Sequence, residues 1–132
     1  MDHANIDALL ALYRLGRRIK FAAKHRSTDS MLTAAILLEL AERPLTLSDL
    51  GERLSMKPAA MSEQMGKLQR QGLVSKKTGA DRRARLLSLT ASGKKGARLI
   101  RDAMEVQSQA LFAGMEAAEV VMLHRLLGKV RA

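Results

Sequence analysis

The chain has 132 residues, of which 47% are hydrophobic and 27% charged, with two prolines and no cysteine. That balance describes one folded, helix-leaning domain and argues against a disordered tail. Without cysteine there is no disulfide, no thiolate metal site and no thiol nucleophile or redox sensor. Lysine and arginine number 23 against 13 acidic residues, a net charge of +10 that favours a polyanionic partner. The surplus is local. Residues 57 to 101 hold twelve cations against two anions, Glu63 and Asp81, while the rest of the chain holds eleven of each. A generally basic surface would spread its charge; concentration in one segment points to a polyanion site. Asp2 and Asp7 stand where an export signal needs positive charge, and no apolar run approaches the roughly 18 residues of a membrane span. The expected location is cytoplasmic, with no membrane partner.

Apolar residues Ile6, Leu9, Leu10, Tyr13 and, later, Ile19 and Phe21 give a helical period over residues 4–25. Thr28, Asp29 or Ser30 can cap a second helix that carries Ile36, Leu37, Leu38 and Leu40 and stops before Pro44. Apolar residues on several of its faces make it central to the core. Thr46 and Asp49 have capping-box spacing, with Leu45 and Leu50 placed as a hydrophobic staple, so a short helix runs to Leu54. Pro58 suits the first position of the next helix, in which Met61, Met65 and Leu68 form one buried stripe and Gly72 makes the C-terminal stop. The period then becomes strand-like over Leu73–Lys77 and Arg85–Leu89, joined by a turn-forming, cationic tip from Thr78 to Arg83. Thr90 can cap a long helix from about Ala91 to Ala113, and a last helix spans about Ala117 to Val130.

Two short helices across a tight turn, followed by a basic hairpin, make a winged helix-turn-helix. The fold class is mainly α with a small β-hairpin wing and six helices. The second short helix would enter a DNA major groove. At about 100° per residue, Ala59, Ala60, Glu63, Gly66, Lys67 and Arg70 face away from the methionine stripe. Ala59 and Ala60 can touch a thymine methyl and Glu63 can accept from a cytosine amino group, while Ser62 and Gln64 can reach a base edge or a phosphate. Lys67 and Arg70 suit phosphates, which position without reading sequence. Glycine at 66 costs up to about 1 kcal/mol in mid-helix and would admit a close phosphate backbone. Lys57 occupies the N-cap position, where lysine is a poor cap that opposes the helix dipole. Either a bound phosphate answers both objections, or Ser55 caps the helix and Lys57 is solvated. On the wing, Lys76, Lys77, Arg82, Arg83 and Arg85 supply cations and Asp81 an anion.

These residues resemble the multiple-antibiotic-resistance regulator (MarR) family of bacterial winged-helix transcription factors. The likeness is strongest over Leu45 to Gly93. It rests on Leu45-Thr46-Leu47-Ser48-Asp49-Leu50, on Leu68 followed by Gly72-Leu73-Val74, and on the wing Asp81-Arg82-Arg83 leading to Leu89-Thr90 and Gly93. The resemblance implies a homodimer on a palindromic double-stranded operator, with a winged core at 29–90 and dimerisation helices at 1–26 and 91–132. It further implies repression relieved by a small, often phenolic, effector anion bound between the two subdomains. Carried onto this chain, Arg83 is the wing arginine that enters the minor groove, where a narrow groove concentrates negative potential, and Asp81 is the carboxylate that steadies it. The sequence departs from the family at Ala59, Ala60 and Glu63, where serine or threonine and then arginine are frequent, and at Gly51, where alanine is usual.

Other chemistries find little support. His3, His25 and His124 lie far apart, there is no strand-to-helix glycine loop, and no catalytic spacing stands out, so neither an enzyme nor a cofactor is expected. Met61 and Met65 suit gap-filling in the core better than oxidation sensing. Arg14, Arg17, Arg18, Lys20 and Lys24 can pair with a carboxylate effector or form a solvated face. Two rival readings stay open: a non-specific, nucleoid-type DNA-binding protein, and a constitutive regulator without a ligand.

Overall fold

A computed structural model describes residues 3–19, 28–78 and 85–131. In chain order the elements are α1 (Ala4–Arg18), α2 (Thr28–Glu42), β1 (Leu45–Thr46), α3 (Leu47–Arg53), α4 (Pro58–Arg70), β2 (Val74–Thr78), β3 (Arg85–Leu89), α5 (Ala91–Leu111) and α6 (Ala117–Leu127). The six helices and the hairpin are those the periodicities imply. One element was not legible. β1 has two residues, too few to show a period, and pairs antiparallel with β3 through Leu45↔Leu87 and Thr46↔Leu86. The sheet is therefore three-stranded, in the order β1-β3-β2.

Some boundaries differ from the sequence reading. α1 stops at Arg18 rather than 25, because Ile19 is extended (φ −68°, ψ 107°). Gly16 weakens this last turn, although Arg17 and Arg18 suit its negative dipole end. β2 begins one residue later than expected, because Leu73 is consumed in closing α4.

The core forms where α2 crosses the other elements. Ile36, Leu37 and Leu40 are buried against Leu50 of α3, the stripe Met61, Met65 and Leu68 of α4, and Val74, Leu87 and Leu89 of the sheet. Among the described residues no polar or charged side chain is buried. The core is small and wholly apolar, so its packing fixes position without polar registration.

Local hydrogen bonds frame the two short helices. Thr46 Oγ1 accepts from Asp49 N at 3.1 Å, the cap expected for α3. α3 ends with Met56 N donating to Gly51 O at 2.8 Å around Ser55, whose φ is +53°. Ser55 thus ends α3 in the left-handed conformation and does not cap α4. A Cβ on Gly51 would stand 3.2 Å from Met56 O, which accounts for the smaller residue in this tight turn. α4 ends the same way: Leu73 N donates to Leu68 O and Gly72 N to Gln69 O, both at 3.0 Å, around Gly72 at φ +74°. This is a Schellman close, with glycine in the left-handed position.

That close is tied directly to α5. Thr90 N donates to Leu73 O at 3.1 Å. Thr90 Oγ1 donates to Gly72 O at 2.6 Å and accepts from Gly93 N at 3.1 Å. The first turn of α5 packs so closely here that a Cβ on Gly93 would lie 2.1 Å from Leu73 O. Backbone cannot yield as a flexible side-chain tip can. Gly93→Ala is expected to destabilise the protein by about 3 kcal/mol, read as a lower urea midpoint at unchanged m-value; an unchanged midpoint would show that the two backbones can separate freely.

Candidate nucleic-acid interface

α4 presents the face that its buried stripe dictates. Met61, Met65 and Leu68 are 0%, 1% and 2% exposed, and Ala59, Ala60, Ser62, Glu63, Lys67 and Arg70 are exposed on the remaining surface. Gln64 and Gly66 lie at the margins, half-buried. The N-cap is Lys57, whose side chain makes no capping bond, with Pro58 at the first helical position. The N-terminal amide donors of α4 therefore have no side-chain cap, and a cation stands beside them.

Gly66 has a role that its position alone did not suggest. A Cβ there would lie 3.3 Å from Nη1 of Arg70, so the Arg70 guanidinium folds back over the glycine. The missing side chain leaves a shelf for the cation one turn on.

The hairpin pairs Val74↔Leu89, Ser75↔Ser88, Lys76↔Leu87, Lys77↔Leu86 and Thr78↔Arg85. Because successive side chains alternate between faces, Lys76 and Arg85 share the face of Leu87, whereas Lys77 shares that of Ser88. On that second face the Ser75 and Ser88 hydroxyl oxygens lie 3.3 Å apart. The two adjacent lysines that read in sequence as one basic run thus point in opposite directions. Lys76, Lys77 and Arg85 are all exposed. Asp81, Arg82 and Arg83, at the tip, lie outside the described residues. Lys77 instead lines a cleft with Arg43, Lys94, Arg98 and Arg101. Sequence reasoning counted Lys94, Arg98 and Arg101 in the basic segment without giving them a site. Their i, i+4, i+7 spacing was the available signal.

Among the described residues no cluster of three or more metal-ligating side chains occurs, and no helix is long and apolar enough to cross a membrane. Among the described residues sixteen large hydrophobics are exposed, and all but Met31 lie on α1, α5, α6 or at Val130 just beyond α6. Neither α1 nor α6 buries a single residue.

Comparison with known proteins places this architecture. Residues 28–84 match the model of the MarR family, a family of transcription regulators rather than enzymes. The PcaV transcriptional regulator of Streptomyces coelicolor, solved with its natural ligand, superposes with a TM-score of 0.69 at 24% identity, over 98% of this chain and 94% of that one. A double mutant of ZitR from Lactococcus lactis has a TM-score of 0.59 at 26% identity, over 97% and 94% of the two chains. FabT of Streptococcus pneumoniae in complex with DNA has a TM-score of 0.63 at 18% identity, over 96% and 93%. A search of curated protein sequences gives no significant match.

The Arg70–Gly66 geometry makes one prediction. Gly66→Ala should raise helix stability by up to about 1 kcal/mol, since the arginine tip can shift by the few tenths of an ångström required. DNA affinity should fall, because the added methyl displaces Arg70 and thickens the face. Fluorescence anisotropy on a duplex checks this; a variant that binds as tightly as wild type would remove Gly66 and the folded-back Arg70 from the interface.

Proposed function

We propose that this chain, whose residues 28–84 match the MarR family model, is a regulator of that family and acts as a homodimeric, sequence-specific DNA-binding protein that represses its target promoters. The observation that carries the reading is the split surface of α4: one side locked in the core, the other offering two alanines, Ser62, Glu63, Lys67 and Arg70 to a groove. Ala59, Ala60 and Glu63 read base edges. Lys57, Lys67 and Arg70 hold phosphates, and Ser62 and Gln64 reach phosphates or base edges at the margin. Lys76 and Arg85 extend the cationic surface along the wing. Arg83 enters the minor groove and Asp81 steadies it, as the resemblance implies. The structural likeness to FabT, solved on DNA, supports this placement at the level of the fold.

The homodimer is supported by where the exposed apolar surface lies. Ile6, Leu9, Leu10 and Tyr13 of α1 are 58%, 67%, 43% and 64% exposed, and Val121, Leu126 and Leu127 of α6 and Val106 of α5 are exposed in the same way. One chain leaves these faces wet; a second copy would bury them. On this reading residues 91–132, with 1–26, form the dimerising part and 29–90 the DNA-binding part. Release from DNA by a small effector anion fits the likeness to PcaV, whose structure holds its ligand. The alternative, a nucleoid-type protein, would use the same cations without reading Glu63.

Competition separates the two. The regulator keeps its own promoter under excess random duplex; loss of that binding at equal mass of competitor would establish the nucleoid reading instead. Arg83→Ala should weaken binding and lower the slope of log affinity against log salt by about one per protomer. Affinity and slope both unchanged would remove Arg83 from the site. Glu63→Gln should alter preference at one base position in a selection experiment, and a uniform loss at every position would assign Glu63 no reading role.

A further inference from the structure

We propose that the cleft between the end of α2, the β2–β3 ladder and the first half of α5 binds a small organic anion carrying two or more negative charges. The cleft has a volume of about 480 Å³, within the range that takes a small metabolite. Five cations line it, Arg43, Lys77, Lys94, Arg98 and Arg101, with one carboxylate, Glu42. That carboxylate lies 4.0 Å from Arg53 on α3. None of the five cations makes an ion pair among the described residues.

Lys94, Arg98 and Arg101 repeat along one face of α5, so the helix sets like charges beside one another, which disfavours the folded state until an anion neutralises them. Arg43 comes from the end of α2 and Lys77 from the wing strand. Convergence of cations from three elements on one hollow differs from a solvated stripe along a single helix. Two guanidinium groups on adjacent turns supply forked donors that match carboxylate or phosphate oxygens in pairs.

The cleft also limits the ligand's body. Its apolar lining is Leu40, Ala41, Pro44, Leu89 and Ala97, with no aromatic side chain among the described residues. A flat aromatic monoacid would find no ring to stack on and would leave most of the charge unneutralised. A short aliphatic body bearing several carboxylates or phosphates matches both features. No α1 residue lines this cleft, so it is separate from the cations Arg14, Arg17 and Arg18 on that helix. Lys77 and Ser88 belong to the stalk of the wing, and an occupant would join that stalk to α5.

Titration calorimetry on the full chain, at fixed salt and without DNA, tests the site independently of the regulator reading. Propane-1,2,3-tricarboxylate and inorganic tripolyphosphate distinguish carboxylate from phosphate sources, and butyrate is the singly charged control. Saturable binding of at least one polyanion at one per protomer is expected, with butyrate at least about tenfold weaker. Arg98→Gln with Arg101→Gln should weaken the polyanion about tenfold or more. Lys77→Gln, on the other wall, should weaken it in the same direction and serves if the double variant does not fold. Lys95→Gln with Lys129→Gln removes the same charge away from the cleft and should leave affinity within about twofold. Equal weakening by that control pair, equal binding of butyrate, or no saturable binding would overturn the proposal.

Discussion

The contact on which the rest depends is the backbone crossing of Leu73 and Gly93. A carbonyl at the end of α4 and an amide-rich first turn of α5 approach so closely that no side chain fits between them. Thr90 completes the joint by bonding to both sides of it at once. Two helices with different tasks are thereby set at a fixed angle. α4 carries the face proposed to meet DNA, and α5 leads into the exposed apolar surfaces proposed to meet a second copy. A rigid joint converts dimer geometry into the spacing between two reading heads; a flexible linker would let each head find DNA alone and would give up the gain from binding two half-sites together.

Much of this was legible because it is local. Capping by Thr46 needs Asp49 three residues on, and the closing turn of α4 needs a glycine at 72, where the left-handed φ excludes most side chains. The methionine stripe of α4 exposes its complement by helical geometry alone, and every α4 residue assigned to the outward face is exposed or half-buried. What escaped was non-local. β1 exists only through its pairing with β3. Lys76 and Lys77 are neighbours in sequence and opposites in the sheet, a separation that register decides. Ser55 carries no mark of its left-handed turn. The cleft draws Arg43 and Arg101 from positions 58 residues apart, a distance over which composition shows charge but not convergence.

Among the described residues, much of the cationic surplus gathers on two surfaces. One follows α4 and the face of the hairpin bearing Lys76 and Arg85. The other gathers Lys77 with Arg43, just beyond α2, and the cations of α5. The neutral remainder of the chain carries nearly all the exposed apolar surface, as suits a surface that meets protein. On the two proposals, basicity that looked like a single DNA-binding signal would serve two sites, and the hairpin, with a cation on either face, would touch both.

Hydroxyl-radical footprinting of the full-length protein on its own selected DNA fragments tests the central claim, that the Leu73–Gly93 joint fixes two α4 helices at a set spacing. Two protected patches are predicted, related by a dyad and centred about 10 bp or a small multiple apart, with the same spacing on every selected fragment. A single patch, or a spacing that varies from fragment to fragment, would contradict it.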